Sequence, residues 1–443
     1  MNFTIWVYRF IIKLWNSIHI VINLKYFSLN LDTKFVPSYN ICKKTAKDGS
    51  SSMNKQDLFK IIDDSCEFTK KTAYKIFDHP EWDGNEFYAS KLLTDILKDM
   101  DFEVEMGIAD LPTAFRATKK FGNGGPNIGF IGEYDALRDF QHACGHHMQT
   151  PAIIAAVDAL IPYITENNIN CTLTVYGTPA EETFGGKIIM MEKGYFKELD
   201  AAIASHATQD TAAISGPSYA QFTFKVEVIG KSAHAASYPH IGRSALDTLI
   251  LAFNGIEFMR EHTKDNVRMH YSIDEGTGPS NAVHPKAKAT ICVRSRESSA
   301  LPDLEKRLRN ILKGACLMSE TKIKIKKQPV YLVQMPNEVL RYLAYDNFEL
   351  LNMEKINREA TPAGGSTDFG NVTTVVPGIL VKLPFCKDPT HSMGWVKAGK
   401  TDAAVKCMLD SAKTMAGIAY DLLANPDLVV KVKESFIEQS KYN

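Results

Sequence analysis

Gly132-Glu-Tyr-Asp-Ala-Leu137, closely followed by His142-Ala-Cys-Gly-His-His147, is the stretch on which the reading of this chain turns. It crowds two carboxylates, one thiol and three imidazoles into a few residues. An apolar run over residues 126–131 precedes it and reads as a buried strand. Thiolate and imidazole are preferred ligands of zinc and its neighbours. Two ligands do not close a metal site, so the others must come from elsewhere in the chain.

Outward from this stretch, apolar spacing at Leu58, Ile61, Ile62, Cys66 and Phe68 predicts a helix over 55–79, and a second covers 86–100. Strand-like runs follow at 102–108, 113–121 and 127–134, the last two joined by the turn Gly122-Asn-Gly-Gly-Pro126. Downstream, a helix is expected over 151–160, a strand over 171–176, a helix over 183–193 and a strand over 201–205. Strands alternating with helices make an α/β sheet covered on both faces. The pattern changes at 221–229, where Phe222, Phe224, Val226 and Val228 share one face of a half-exposed strand. A helix over 242–261, strands at 267–273 and 286–293, a helix over 301–317 and a strand at 321–326 complete the order βαββαβ. That is a small ferredoxin-like α+β domain. A helix over 337–351, the apolar run 378–385 and a closing helix over 401–424 resume the α/β fold. The expected division is an unstructured extension over 1–52, a main domain built from 53–215 and 330–443, and an insert over 216–329.

A chain of 443 residues suits two domains rather than one core. Lys plus Arg equals Asp plus Glu, 51 against 51, so no global field favours nucleic acid or an anionic membrane. The eight cysteines show no C-x-x-C spacing. Free thiols in a reducing compartment are expected, hence a cytoplasmic protein. Residues 1–30 are apolar, but Arg9, Lys13 and Lys25 interrupt them. No run approaches the roughly 20 residues of a membrane span, so no stable membrane insertion is expected. A weak membrane or organelle address is the alternative reading of this segment.

The polar residues fall on this map by rule. Asp135 ends the strand at 127–134, and Cys144 and His146 lie in the loop beyond it. Glu181 and Glu182 follow the strand at 171–176. His206 follows the strand at 201–205, and His391 follows the run at 378–385. Open α/β sheets build their sites at these carboxyl ends. Cys144, His146, Glu182, His206 and His391 are five candidate metal ligands, too many for one tetrahedral site with an open position. Two metals about 3.5–4 Å apart and sharing one ligand would use them all. Glu181, next to a ligand, is placed as general base, and Asp135 can orient a ligand from behind. Each residue alone has a blander reading: a polar loop histidine, a solvated Glu-Glu helix start, a small buried cysteine. The conjunction at strand ends carries the argument. His142 and His147 are left over, with contacts behind the ligands as their role, or none.

These residues resemble the aminoacylase/carboxypeptidase family of di-metal amidohydrolases, metallopeptidase family twenty, and within it the branch of Xaa-Arg and β-alanyl-lysine dipeptidases. The matching motifs are the two quoted above with Pro179-Ala-Glu-Glu182, Ser205-His206-Ala207, Gly230-Lys-Ser-Ala-His-Ala-Ala236, Gly364-Gly-Ser-Thr-Asp-Phe369 and Thr390-His391. The resemblance implies a mixed-sheet catalytic domain and an inserted lid that also forms a homodimer. It implies two divalent ions, with Cys144 in the bridging place that most relatives give to Asp. His234 of the lid would stabilise the oxyanion, and Asn281 and Arg294 would contact substrate, the arginine gripping a carboxylate with its fork. Two departures lie near the metals: His147 where many relatives carry Asp or Asn, and Arg138 where many carry Pro.

The expected reaction is hydrolysis of the amide bond of a small dipeptide with a free carboxylate. The alternative is an N-acyl or conjugated amino acid, and the rival from another class is a silent binding protein on the same scaffold. The thiol favours zinc, while manganese or cobalt suits a carboxylate-rich half.

Overall fold

The computed structural model describes residues 53–276, 278–359 and 364–441. The expected extension over 1–52 lies outside them. The described chain starts with α1 (Lys55–Asp64), α2 (Cys66–Phe77) and α3 (Phe87–Asp99). The single helix expected over 55–79 is therefore broken at Ser65. The Ser65 hydroxyl donates to the Ile62 carbonyl at 2.8 Å, and such local bonds compete with the helical ladder. Then come β1 (Glu103–Met106), β2 (Phe115–Phe121), β3 (Asn127–Gly132), α4 (Gln149–Glu166), β4 (Cys171–Gly177), α5 (Gly186–Glu192), β5 (Ala201–Thr208) and β6 (Ala212–Ile214). The insert holds β7 (Ala220–Ile229), α6 (Ala245–Glu261), β8 (Val267–Glu275), β9 (Lys286–Ser295), α7 (Leu301–Ser319) and β10 (Lys322–Lys327). The chain ends with α8 (Glu338–Leu350), β11 (Ile356–Asn357), α9 (Phe369–Val372), β12 (Gly378–Pro384), α10 (Met393–Ala398), α11 (Asp402–Ala424) and α12 (Pro426–Ser440).

The main sheet has eight strands in the order β1-β2-β4-β3-β5-β12-β6-β11. Its centre, β4-β3-β5-β12, is parallel, and antiparallel pairs flank it at β2/β4 and β12/β6. The central strands are almost wholly buried, as parallel strands covered on both faces must be. α4 and α11 pack together on one side. α5 and α9 cover the other through Met190, Phe369 and Val372. α4 is long and apolar enough to cross a membrane, but 78% of its apolar window is buried inside the fold. It is a core helix.

The insert is a separate antiparallel sheet, β10-β7-β9-β8, with α6 and α7 on one face. Phe222, Phe224, Val226 and Val228 are at most 2% exposed and share a core with Leu249 and Ile256 of α6 and Leu308 and Leu312 of α7. Burying each such side chain is worth about 1.5–3 kcal/mol. The alternation of β7 thus does what the sequence pattern requires.

Three further features depart from expectation. β5 continues to Thr208, so His206 lies inside it and not after it; β12 pairs with β5 along its whole length, up to Pro384 opposite Thr208. α11 does not close the chain, because Asn425 accepts from the Asp427 amide at 3.2 Å and Pro426 opens α12. α5 begins at Gly186 and not at residue 183, since Gly185 with φ 67° ends a turn that holds both glutamates outside the helix.

Candidate metal centre

The centre forms where β3, β4, β5 and β12 end. The loop after β3 turns sharply at Gly145, whose φ of 82° suits glycine, and delivers Cys144 and His146 side by side. β5 carries His206 to the same place, with its Nε2 3.4 Å from the Cys144 Sγ. The turn after β4 brings Glu181 and Glu182. The loop after β12 brings His391, whose Nε2 lies 3.2 Å from the Glu182 Oε1. The His391 amide donates to the Ala143 carbonyl at 3.1 Å, joining the two loops. Two non-glycine residues here adopt positive φ, Ala180 at 58° and His391 at 62°. Such conformations cost energy and concentrate where geometry is dictated by function.

One ligand atom each from Cys144, His146 and His206 falls within 4.8 Å of the others, and the same holds for Cys144, Glu182 and His391. The two triads share the thiol. Between them they use all five ligands expected from the sequence. Glu181 stands beside them, in a group with His146 and Glu182. Asp135, 1% exposed, holds the frame from behind. Its Oδ1 lies 2.9 Å from the His146 Nδ1 and its Oδ2 accepts from the Glu182 amide at 3.0 Å. That leaves the His146 Nε2 facing the cluster.

The electrostatics call for cations. The His146 Nε2 and the Glu182 Oε1 are buried and make no well-aligned hydrogen bond among the described residues, although the Glu133 Oε2 and the His391 Nε2 stand 3.2 Å from them. Burial opposes a charged His146, yet its neighbours Cys144, Glu133 and Asp135 outweigh it and raise His146 well above its usual range. Burial and the charge of His146 lower His206 to about 4, the neutral form in which imidazole ligates. Burial raises the Cys144 thiol well above its usual value, and a coordinated metal reverses this by deprotonating it. Burial, with the charges of Glu133, Asp368 and Glu182, raises Glu181 well above the usual carboxylate range. A donor set of thiol, imidazole and carboxylate, crowded and short of positive charge, fits a pair of divalent ions.

The residues expected from the insert do not join this cluster. His234 is exposed, and its Nδ1 accepts from the amides of Ala236 and Ser237 at 3.3 and 3.1 Å. Its loop is tied to that of Asn281, whose carbonyl accepts from the Ala235 amide at 2.8 Å. Arg294 lies within β9 opposite Gln221 and Arg268, its Nε buried without a partner. Among the described residues, no hydrogen bond or ion pair links these three to the ligands.

The leftover histidines are structural. The His142 Nε2 lies 3.1 Å from the Ile76 carbonyl and the His147 Nε2 3.0 Å from that of Gly399, and Phe77 packs against both rings. Burial lowers His147 to about 4, so it stays neutral. Arg138, the other departure, points outward and pairs with Asp83. Glu133 and Asp368, quoted within motifs but given no role, and Gln149, Lys187 and Tyr331, not singled out, build the wall behind Glu181. A lysine inside the apolar run Gly186-Lys-Ile-Ile-Met190 was the available signal.

Asp135→Asn is expected to weaken metal binding about 10–100-fold, the usual cost of removing a group that orients a ligand. Titration of the apo chain with zinc, read by calorimetry, measures it. An unchanged affinity would remove Asp135 from the site.

Comparison with known proteins points the same way. Residues 220–317 match the model of a peptidase dimerisation domain. The chain is 31% identical to the Xaa-Arg dipeptidase of Mus musculus over 89% of its own length and 96% of the relative's. It is 28% identical to one of the subunits of the p-aminobenzoyl-glutamate hydrolase of Escherichia coli, over 86% and 95%. The crystal structure of an aminobenzoyl-glutamate utilization protein from Klebsiella pneumoniae superposes with a TM-score of 0.68 at 19% identity, covering 82% of this chain and 98% of that one. The clustered ligands, the inserted second sheet and this end-to-end similarity together place the chain in the M20 family of peptidases and amidohydrolases, and it is a hydrolase.

Proposed function

We propose that the chain hydrolyses the amide bond of small dipeptides that carry a free C-terminal carboxylate, using two divalent ions. The observation that carries this is the pair of ligand triads sharing Cys144. The ions would be held by Cys144, His146 and His206 on one side and by Cys144, Glu182 and His391 on the other. Zinc suits the thiol, with manganese or cobalt as the alternative in the carboxylate-bearing half. When bound, they supply Lewis acidity and an acidified water.

The chain's own residues do the rest. Glu181 takes the proton of the attacking water and returns it to the leaving amine. Asp135 keeps the His146 ring turned toward the cluster. His234, whose Nδ1 accepts two amide protons, carries its own proton on Nε2 and offers it to the oxyanion. Arg294 grips the substrate carboxylate and Asn281 positions the backbone beside it. Both require residues 216–329 to close as a lid over the catalytic domain formed by 53–215 and 330–443. The same insert presents Phe258 and Ile250 of α6 to solvent, 73% and 47% exposed, which supports a homodimer through this surface. The seven described cysteines are all free, in keeping with a cytoplasmic enzyme. A second reading, an N-acyl or conjugated amino acid as substrate, is favoured by the similarity to the p-aminobenzoyl-glutamate hydrolase.

A panel of dipeptides and N-acyl amino acids, with zinc and manganese supplied in turn, tests the proposal. Two metal equivalents per chain and cleavage of at least one free-carboxylate dipeptide are expected. One equivalent or less, with no cleavage anywhere, would overturn it in favour of a silent binding protein.

A further inference from the structure

Lys187 is the second residue of α5 and its side chain is 1% exposed. Lysines are almost never buried so completely unless paired. Its Nζ donates to the Glu133 Oε1 at 2.6 Å and to the Asp368 Oδ1 at 2.7 Å, and its amide donates to the Asp368 Oδ2 at 3.0 Å. The other oxygen of Glu133 accepts from the Gln149 Nε2 at 2.7 Å and faces the His146 Nε2 at 3.2 Å. Oxygens of Glu133, Asp368 and Glu181 all fall within 4.8 Å of one another. Three carboxyl groups thus converge, those of Glu133 and Asp368 buried and bonded to the ammonium, that of Glu181 half-buried beside them.

Burying like charges this closely is costly unless a cation stands among them. Lys187 is that cation, and the space three acids would offer to an ion is filled by a tethered one. The backbone makes the tether relevant to Glu181. The Gly185 amide donates to the Ala180 carbonyl at 2.9 Å, closing the turn that contains Glu181 and Glu182. A Cβ at Gly186 would strike the Pro179 carbonyl, so the turn folds tightly on itself. Tyr331 donates from its hydroxyl to the Glu181 carbonyl at 3.2 Å. One end of this turn is fixed by β4 and the other by Lys187. A simple core ion pair would need neither a base beside it nor a loop hung from it.

We propose that Lys187 is a positioning residue for the general base: tied to Glu133 and Asp368, its ammonium fixes where the Glu181 carboxylate stands. The proposal rests on Glu181 being the base. It adds no proton-transfer step; Lys187 keeps its proton throughout.

Lys187→Met and Lys187→Arg, made in the full chain and loaded with metal, test it beside wild type and Glu181→Gln. Lys187→Met is expected to keep two metals per chain, its circular dichroism and a KM within about threefold of wild type, while kcat falls about 100-fold. Lys187→Arg is expected to recover most of that loss. A kcat for Lys187→Met close to wild type overturns the proposal. So does a loss shared equally by both variants and accompanied by loss of metal, which would make Lys187 a support of the ligands alone. If Lys187→Met does not fold, Asp368→Asn decides: a kcat about tenfold lower with metals and KM kept supports the proposal, and an unchanged kcat overturns it. A wild type that cleaves nothing, or an active Glu181→Gln, instead indicts the reading of the site on which the proposal stands.

Discussion

Glu181→Gln is expected to lower kcat by roughly 10³–10⁴-fold, the upper part of what a positioned base contributes, while leaving metal content and fold intact. The substitution keeps the shape of the side chain and removes only its capacity to take a proton. Glu181 belongs to neither of the two triads that share Cys144, so both ions should stay. Its main-chain carbonyl is held by Tyr331, a contact that the substitution does not touch. Steady-state kinetics with metal analysis of the same sample makes the measurement. Full activity would move the base elsewhere. Because burial and then neighbouring carboxylates raise Glu181, wild-type kcat should fall on the acid side as this group is protonated, and the residual rate of the glutamine variant should lack that limb.

Cys144→Ala is expected to do more damage, because it removes a ligand from both triads at once. Metal content should fall below one equivalent and activity should vanish. Cys144→Asp is the informative companion. It restores an anion in the shared place but exchanges a soft donor for a hard one. It should rebind two ions and shift the preference from zinc toward manganese. The wild-type thiol must lose its proton to ligate, and burial resists this, so metal affinity should fall as pH falls. Competition titrations at several pH values would show it. Retention of both ions by Cys144→Ala would exclude Cys144 as the bridge.

The candidate ligands were legible because each combines a metal-binding residue type with a place at the end of an apolar run, and the sheet brings those ends together. The insert was legible because Phe222 to Val228 changes the period from buried parallel to half-exposed strand. Lys187 was not, since a lysine in a short helix normally reaches water, and its partners lie at Glu133 and Asp368, far apart in the chain. The break at Ser65 is one residue long and leaves the apolar spacing on either side unchanged. β6 and β11 are too short to leave a period. His206 was assigned its place but not its strand, whose length is set by pairing with β12 and not by local pattern. His234 and Arg294 were legible as residue types only, since the sequence does not show how far the insert stands from the ligand cluster.

β12 lies in the middle of the main sheet yet is made after the whole insert. A ribosome releases β5 early, and its edge stays open until residues 378–384 emerge. Pairing that distant is slow to form, and an exposed edge of apolar strand invites association with other chains. The nascent protein therefore carries an unfinished main sheet through the synthesis of the whole insert. Premature termination anywhere in α8 would yield a fragment with a finished insert, an unclosed sheet and only Cys144, His146, Glu182 and His206 of the five candidate ligands. Such fragments should be aggregation-prone, and the final stretch of translation is what turns the chain from a folding hazard into an enzyme.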